Sequence, residues 1–229
     1  MYENKRFLAV IPARGGSKGI PDKNIIDVNG KPLIQYTIDE AKQSKYIDRV
    51  VVSTDSEKIA EVAVTGGADV PFLRPDYLAS DEAKTIDALV HVVNTIHSSS
   101  DVYDYIVLLQ PTQPLRKHWH IDEAIETILE KKSTSLISVS PVKEHPILMR
   151  TIDENGGLKS LLNLSSTIRR QEFPTFYKVN GAIYINKIDS NFSVDTSLND
   201  NLTPYIMGVE YDLDIDDFED LKQAERKLK

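Results

Sequence analysis

The chain has 229 residues and a mass of 25.8 kDa, enough for one large domain with a buried core. Its 35 acidic residues outnumber 27 Lys and Arg residues, and the net charge of −8 argues against a general nucleic-acid or anionic-membrane surface. The lack of cysteine excludes disulfides and thiolate sites. No apolar run approaches the roughly 18 residues of a membrane span, and the apolar stretch near the start is too short for a signal peptide. We therefore expect a cytoplasmic protein without nucleic-acid or membrane partners.

The first 135 residues alternate between short apolar blocks and helical patterns. The apolar blocks predict buried parallel strands at residues 7–11, 49–53 and 105–109. Helices are predicted at residues 33–44, 57–64, 84–97 and 121–129, and Ser80 is the expected cap of the third helix. This β-α-β-α order predicts a parallel sheet that is covered by helices on both faces.

The pattern changes after Ser133, where prolines and paired glycines separate shorter segments. Strands are predicted at residues 136–139, 182–185 and 205–209, and an amphipathic helix is predicted at residues 216–229. The segments between the first two of these strands look like hairpins that leave the sheet. We predict a single domain over residues 1–229, with residues 140–180 as a protruding subregion within it.

A glycine-rich basic loop follows the first predicted strand. Gly15, Gly16 and Gly19 allow close backbone approach, while three cations can point at one anion. These cations are Arg14, Lys18 and Lys23. In an open α/β sheet, ligands bind beyond the carboxyl ends of the strands, so a polyphosphate site is predicted here. The spacing does not fit a Walker A loop, and a solvated, flexible turn is the alternative.

Acidic residues crowd the segment from Glu210 to Asp220. If residues 209–215 are extended, Asp212, Asp214 and Asp216 share one face, because side chains alternate along a strand. Two or three carboxylates on one face suit Mg²⁺, which also takes waters and phosphate oxygens as ligands. The alternative is the negative charge bias that favours the start of the following helix.

Seven fragments in order resemble the CMP-sialic acid synthetases, also called acylneuraminate cytidylyltransferases. The fragments cover nearly the whole chain and are Ala9-Val10-Ile11-Pro12-Ala13-Arg14-Gly15-Gly16-Ser17-Lys18-Gly19 with Lys23-Asn24, Val51-Val52-Ser53-Thr54-Asp55, Leu73-Arg74-Pro75, Leu78-Ala79-Ser80-Asp81, Leu108-Leu109-Gln110-Pro111-Thr112-Gln113-Pro114-Leu115-Arg116, Asn180-Gly181-Ala182-Ile183-Tyr184 and Asp214-Ile215-Asp216. Each fragment is weak alone, but their common order is specific.

The resemblance implies a Rossmann-like nucleotidyltransferase fold, with a mainly parallel α/β sheet between helices. It also implies that the protruding element at residues 140–180 makes a homodimer. The implied reaction transfers CMP from CTP to the anomeric hydroxyl of a nonulosonic acid, with Mg²⁺ as cofactor and pyrophosphate as the second product. N-acylneuraminate is the first expected substrate.

The resemblance also assigns roles to individual residues. The implied catalytic residues are Arg14, Lys18, Lys23, Asp214 and Asp216, and the last two also form the implied metal site. The implied nucleotide-binding residues are Arg14, Lys18, Lys23, Asn24, Arg74 and Thr85. The implied substrate-binding residues are Gln110, Arg170, Asn180 and Tyr184, with Arg170 on the sugar carboxylate.

One departure from the family pattern follows His145-Pro146. Some sialic acid enzymes carry a substrate-binding lysine two residues further on, whereas this chain has Ile147-Leu148-Met149. An apolar wall at this place changes discrimination between sugar side chains, so legionaminic or pseudaminic acid is an alternative substrate. Two alternatives of other classes are a GT-A type glycosyltransferase and a nucleotide-binding protein without activity.

Overall fold

The computed structural model of the protein describes residues 1–97, 101–162 and 169–228, except for the side chain of Arg170. The strands are β1 Phe7–Pro12, β2 Asp27–Val28, β3 Lys31–Pro32, β4 Ile47–Ser53, β5 Tyr105–Leu108, β6 Ser135–Pro141, β7 Arg150–Ile152, β8 Leu158–Ser160, β9 Tyr177–Lys187 and β10 Thr203–Ile206. The α-helices are α1 Leu33–Gln43, α2 Glu57–Thr65, α3 Thr85–His97, α4 His118–Glu130 and α5 Phe218–Lys227. The predicted elements are therefore present, with ends that differ by a few residues.

Within the described residues, a six-stranded sheet has the order β10-β6-β9-β5-β1-β4. Strand β1 runs parallel to both β4 and β5, and β10 runs parallel to β6. Strand β9 is antiparallel to its neighbours β5 and β6. The predicted mainly parallel sheet is confirmed, and β9 is the reversed strand that inserts between its two halves.

Side chains alternate between two cores on opposite faces of the sheet. In β1, Phe7, Ala9 and Ile11 belong to the core that also takes residues from α1, α2 and α4. Leu8 and Val10 belong to the core that includes the buried face of α3. Successive residues of a strand point to opposite faces, so the continuous apolar sequence of β1 reflects burial on both sides.

A third apolar cluster joins the two ends of the chain. Ile20 in the basic loop packs with Leu213 and Ile215, and Leu221 and Ala224 from α5 complete the contact. The sequence pattern of α5 places its buried residues three positions apart, which is one face of a helix. This cluster fixes the basic loop beside the acidic segment that precedes α5.

The segment between β6 and β9 contains a two-stranded antiparallel hairpin, β7 with β8. All six hairpin residues are exposed. The predicted hairpin composition of this segment is confirmed over the described residues, while residues 163–168 of the predicted subregion at 140–180 lie outside them. No helix in the described part of the chain is long and apolar enough to cross a membrane.

The predicted Ser80 cap of α3 is wrong. The helix begins at Thr85, and the Ser80 hydroxyl donates a hydrogen bond to the Tyr77 carbonyl at 3.5 Å. The Asp87 carboxylate instead accepts from the Lys84 N–H at 3.2 Å. Residues 80–83 form a separate turn, closed by a hydrogen bond from the Ala83 N–H to the Ser80 carbonyl, which delays the start of the helix.

Candidate active site

A cleft of about 500 Å³ opens where β1 and β5 end. It contains every predicted triphosphate, nucleotide and metal residue together with one predicted substrate residue. These residues are Arg14, Lys18, Lys23, Asn24, Arg74, Thr85, Gln110, Asp214 and Asp216. The position at the carboxyl edge of parallel strands is the usual ligand site of open α/β sheets.

Hydrogen bonds anchor the basic loop at both ends. The Gly15 N–H donates to the Asp55 carboxylate at 3.0 Å, just beyond β4. The Asn24 side-chain amide is buried and donates to the Arg14 carbonyl at 3.0 Å. The loop is therefore fixed to the sheet edge, which favours the anion-site interpretation over the flexible turn. Asn24 acts here on the loop backbone.

Two cations of the loop share one carboxylate, that of Asp81. The Arg14 guanidinium and the Lys18 ammonium each lie 2.8 Å from an Asp81 oxygen. The hydrogen bond from Lys18, followed by that from Arg14, lowers the pKa of the Asp81 carboxyl. Sequence analysis assigns Asp81 no role, although it lies in one of the fragments that carry the family resemblance. The Asp81 carboxylate forms ion pairs with Arg14 and Lys18, which are the cations that are expected to bind phosphate.

Lys23 connects the basic loop to the acidic segment. Its ammonium donates to the Ile215 carbonyl at 2.8 Å and lies 3.3 Å from the Asp216 carboxylate. Gly19 approaches the same segment, because a Cβ atom at this position would lie 2.5 Å from the Asp216 carbonyl oxygen. A larger residue would push the two walls of the cleft apart.

Asp214 and Asp216 face the cleft because the residues between and before them are buried. Leu213 and Ile215 pack into the third apolar cluster, and the Ile215 N–H donates to the Thr112 carbonyl at 3.0 Å. The alternation that the sequence predicts therefore holds from residue 213 to residue 216. It places both predicted metal residues on one wall, opposite the basic loop.

Asp212 does not share this face, so the prediction of three aligned carboxylates is wrong. Residues Val209–Tyr211 form a 3-10 helix, which breaks the extended run just before Asp212. The Asp212 carboxylate pairs with the Lys178 ammonium at 3.0 Å.

The rest of the acidic run serves the start of α5. The Asp217 carboxylate accepts hydrogen bonds from the N–H groups of Glu219 and Asp220, which is an N-cap. The Asp220 carboxylate accepts in return from the Asp217 N–H at 3.2 Å. The helix-start interpretation of the acidic run therefore holds for Asp217 and Asp220, and the metal interpretation stays a prediction for Asp214 and Asp216.

The environment of Asp214 suits a cation. Desolvation by surrounding protein atoms is the main cause that raises the pKa of its carboxyl, and the charge of Asp216 adds to it. Thr112, Lys23 and Gln113 act in the opposite direction. A divalent cation relieves the repulsion between two neighbouring carboxylates, and hard oxygen donors with room for water and phosphate fit Mg²⁺. The described residues contain no group of three or more His, Cys, Asp or Glu side chains arranged for a metal.

Arg74 lines the cleft, although its side chain is buried. Its guanidinium is buried and donates to the Ser53 hydroxyl at 3.1 Å and to the Leu78 carbonyl at 3.4 Å. Burial is the main cause that lowers the pKa of this guanidinium, and the charge of Arg14 adds to the effect. Arg74 therefore contributes positive potential and fixes the segment that carries Asp81.

Arg116 is a buried cation beneath the cleft that sequence analysis does not single out. Its guanidinium donates to the carbonyls of Ala182 and Gln110 at 2.7 and 3.2 Å, and to the Thr37 hydroxyl at 2.6 Å. Complete burial lowers the pKa of Arg116 to about 9. The only sequence signal is its place in the Leu108–Arg116 fragment. These bonds hold the backbone of Gln110 where it enters the cleft.

A second cleft of about 510 Å³ adjoins the first and shares Lys84, Thr85 and Gln110 with it. Tyr184 lies in this second cleft, and burial is the main cause that raises the pKa of its phenol. The other lining residues are Ile86, Leu108, Val194, Asp195, Thr196, Ser197, Leu198 and Asn199. We call this the acceptor cleft.

Asn180 lies in neither cleft. It is buried, its amide donates to the Ser140 hydroxyl at 2.9 Å, and its carbonyl accepts from the Ser138 hydroxyl at 2.6 Å. These bonds join β9 to β6, so Asn180 supports the sheet, and the structure brings it into neither cleft. The adjacent Gly181 has a φ of +77°, and a Cβ atom there would lie 2.9 Å from the Gln110 side-chain oxygen. The side chain of Arg170 lies outside the described residues.

The overall fold is similar to that of a solved structure. A solved CMP:2-keto-3-deoxy-manno-octonic acid synthetase, complexed with CTP, superposes with a TM-score of 0.74 at 18% identity, over 97% of this chain and 98% of that chain. The predicted Rossmann-like α/β fold is confirmed. Residues 8–226 match the cytidylyltransferase family, and the chain belongs to that family.

Two relatives give the family context. The CMP-N,N'-diacetyllegionaminic acid synthase of Legionella pneumophila is 45% identical over 181 residues, which are 79% of this chain and 77% of the relative. The N-acylneuraminate cytidylyltransferase of Streptococcus agalactiae is 35% identical over 215 residues, which are 93% of this chain and 51% of the relative. The chain thus spans about half the length of the streptococcal protein. The resemblance drawn from the seven fragments is confirmed at the level of the family.

Proposed function

We propose that the protein transfers CMP from CTP to the anomeric hydroxyl of a nonulosonic acid and releases pyrophosphate. The observation that carries the proposal is the placement of three loop cations opposite the Asp214 and Asp216 carboxylates in one cleft. Membership of the cytidylyltransferase family supports CTP as the nucleotide. Consumption of CTP supports the expected cytoplasmic location.

The proposed reaction is an in-line substitution at the α-phosphorus. The anomeric oxygen forms a bond to phosphorus, the bond from phosphorus to the bridging oxygen breaks, and pyrophosphate leaves with the electron pair. The hydroxyl proton passes to solvent. Charge grows on the leaving group, so Arg14, Lys18 and Lys23 are placed to stabilise it. Arg74 and Thr85, in the same cleft, are placed for the nucleotide.

Asp214 and Asp216 are the residues that would hold Mg²⁺. When bound, Mg²⁺ neutralises phosphate charge and polarises the phosphoryl group. The two carboxylates would orient the ion toward the basic loop, because Lys23 and Gly19 keep the two walls together. Lys23 also limits the repulsion between the carboxylates before any ion arrives.

The acceptor cleft is the proposed place of the sugar acid, with Gln110 and Tyr184 as contacts. N-acylneuraminate is the substrate expected from the sequence resemblance. Legionaminic acid is a second candidate, favoured by the 45% identity to the Legionella relative. Ile147 is buried, whereas Leu148 and Met149 are exposed, so the apolar run after Pro146 has two side chains free to face a ligand or a second subunit.

We propose that the protein is a homodimer formed through residues 140–180. Several large apolar side chains in this segment are exposed. They are Leu148, Met149, Ile152, Leu158, Leu161, Tyr177 and Val179. An exposed apolar surface of this kind is typical of an interaction site. Light scattering would check the mass, and Ile152→Asp with Leu158→Asp should give a monomer if the proposal is right.

Pyrophosphate release with CTP, Mg²⁺ and a panel of acids tests the reaction, and binding of CTP, UTP and ATP tests the nucleotide. A GT-A type glycosyltransferase would bind a nucleotide sugar and release no pyrophosphate. An inactive nucleotide-binding protein would bind CTP without turnover. Retention of both the loop cations and the Asp214–Asp216 pair argues against the inactive alternative.

A further inference from the structure

Lys84 stands at the border between the two clefts. It lines the cleft of the basic loop and also the acceptor cleft. Among the described residues that line the acceptor cleft, it is the only cation, and Asp195 is the only anion. Lys84 is therefore the one cation that the described lining of the acceptor cleft offers to a bound acid.

The backbone of Lys84 is held in place. Its N–H donates to the Asp87 carboxylate at 3.2 Å, and its carbonyl accepts from the Asp87 N–H at 3.1 Å. The side chain itself is exposed, and no carboxylate in the described residues forms an ion pair with its ammonium. Arg14, Lys18 and Lys23, in contrast, each pair with a carboxylate of the protein. The backbone of Lys84 is thus fixed at the border of the clefts, while its ammonium has no carboxylate partner among the described residues.

The proposed reaction has an electrostatic requirement at this border. In a 2-keto sugar acid, the carboxylate and the attacking hydroxyl are attached to the same anomeric carbon. Attack on the α-phosphorus therefore brings a carboxylate within a few ångströms of a phosphate, and like charges at this separation repel strongly. A cation between the two groups removes the repulsion and orients the carboxylate.

We propose that Lys84 binds the carboxylate of the sugar acid at the border of the two clefts and screens it from the α-phosphate. This inference rests on the proposed function and adds a substrate-binding residue to it. Lys84 then selects for acids over neutral sugars in the acceptor cleft. The expected role of Arg170 on the same carboxylate concerns a side chain outside the described residues, and two cations on one carboxylate are compatible.

The test compares Lys84→Met, Lys84→Arg and the control Lys45→Met in steady-state kinetics with CTP and the best acid of the panel. Lys45 is an exposed lysine between α1 and the amino end of β4, whereas the clefts open at the carboxyl ends of the parallel strands. For Lys84→Met we expect the KM for the acid to rise by about tenfold or more, as for loss of a charged hydrogen bond, with the KM for CTP within about twofold. Lys84→Arg keeps the charge, and it should recover most of the loss, whereas Lys45→Met should match the wild type.

The dependence of the KM for the acid on ionic strength is a second measurement. A purely structural role of Lys84 would not change this dependence. The KM for the acid should rise with ionic strength in the wild type and in Lys84→Arg, and should rise less in Lys84→Met. An unchanged KM for the acid in a folded Lys84→Met protein would overturn the inference and leave the proposed function intact. An equal rise in both KM values would also overturn it, because Lys84 would then belong to the triphosphate. A wild-type protein that releases no pyrophosphate with any acid would overturn the proposed function and this inference together.

Discussion

Lys23 and Asp216 lie 3.3 Å apart across the cleft, although 193 positions separate them in the sequence. This ion pair connects the basic loop after β1 to the acidic segment before α5. Its Lys23 side chain is mostly buried, whereas Asp216 is largely open to the cleft. The site therefore depends on two distant segments that one apolar cluster and one ion pair hold in register.

Gly19 controls how closely these segments approach. In Gly19→Ala, the new methyl group would lie 2.5 Å from the Asp216 carbonyl oxygen, so the basic loop and the acidic wall must separate. We expect a fall in kcat/KM for CTP and a higher Mg²⁺ requirement. Gly16→Ala is the matched control, since a Cβ atom there meets nothing within 4 Å. Equal activity of both variants would show that the close approach does not matter.

The variant Asp214→Asn is expected to be more stable than the wild type and to lose activity. The pKa of Asp214 is raised in the folded state, so the ionised carboxylate costs stability at neutral pH, and this cost falls as the pH drops through the raised pKa. Without a divalent ion, the neutral variant should therefore have a higher Tm than the wild type at pH 7, and the difference should shrink in acid. Turnover should be lost. Thermal unfolding at several pH values checks the sign, and a lower Tm at pH 7 would contradict it.

Mg²⁺ gives the corresponding test of the metal site. Addition of Mg²⁺ with CTP should raise the Tm of the wild type, because a ligand that binds only the folded state stabilises it. Asp214→Asn should gain much less. A variant that gains as much as the wild type would place the ion elsewhere.

The Asp81 carboxylate forms ion pairs with two of the cations that we assign to the triphosphate. Asp81→Asn frees Arg14 and Lys18, and since partly exposed ion pairs contribute little, the KM for CTP should fall by about two- to fivefold. Glu82→Gln changes the same charge at the next position and should leave that KM unchanged. A higher KM in Asp81→Asn would mean that the carboxylate orients the two cations instead of competing with phosphate.

Lys18→Ala tests the stabilisation of the leaving group. Its side chain is exposed, so the variant should fold, while loss of one such contact costs about 10²–10³ in rate. The control Lys222→Ala removes an exposed lysine from α5 and should have wild-type turnover. Circular dichroism shows whether both variants are folded. Wild-type turnover in Lys18→Ala would remove Lys18 from the mechanism.

The sheet could be predicted because its strands are short apolar blocks that are buried on both faces, as in β1. The basic loop could also be predicted, since glycines and cations directly after a strand are typical of a site that binds phosphate. The shared face of Asp214 and Asp216 could be predicted from the alternation of side chains along an extended segment. This alternation depends only on the buried Leu213 and Ile215. Local pattern and local geometry agree in these segments.

Several differences between sequence and structure arise from contacts between distant residues. Asp212 leaves the predicted face because a 3-10 turn precedes it and Lys178 draws its carboxylate away. Asn180 is expected at the substrate, yet its amide joins two strands. The roles of Asp81 and Arg116 depend on partners that lie far away in the sequence. A single sequence does not show such partners.

The most direct test of the central claim is pyrophosphate release by the full chain with CTP and Mg²⁺ against N-acetylneuraminate, legionaminate, pseudaminate and Kdo. We expect release of pyrophosphate with at least one nonulosonic acid, together with a product that has the mass of the CMP conjugate. A preference for legionaminate would favour the second substrate candidate. A folded protein that binds no CTP and releases no pyrophosphate with any of these acids would contradict the account.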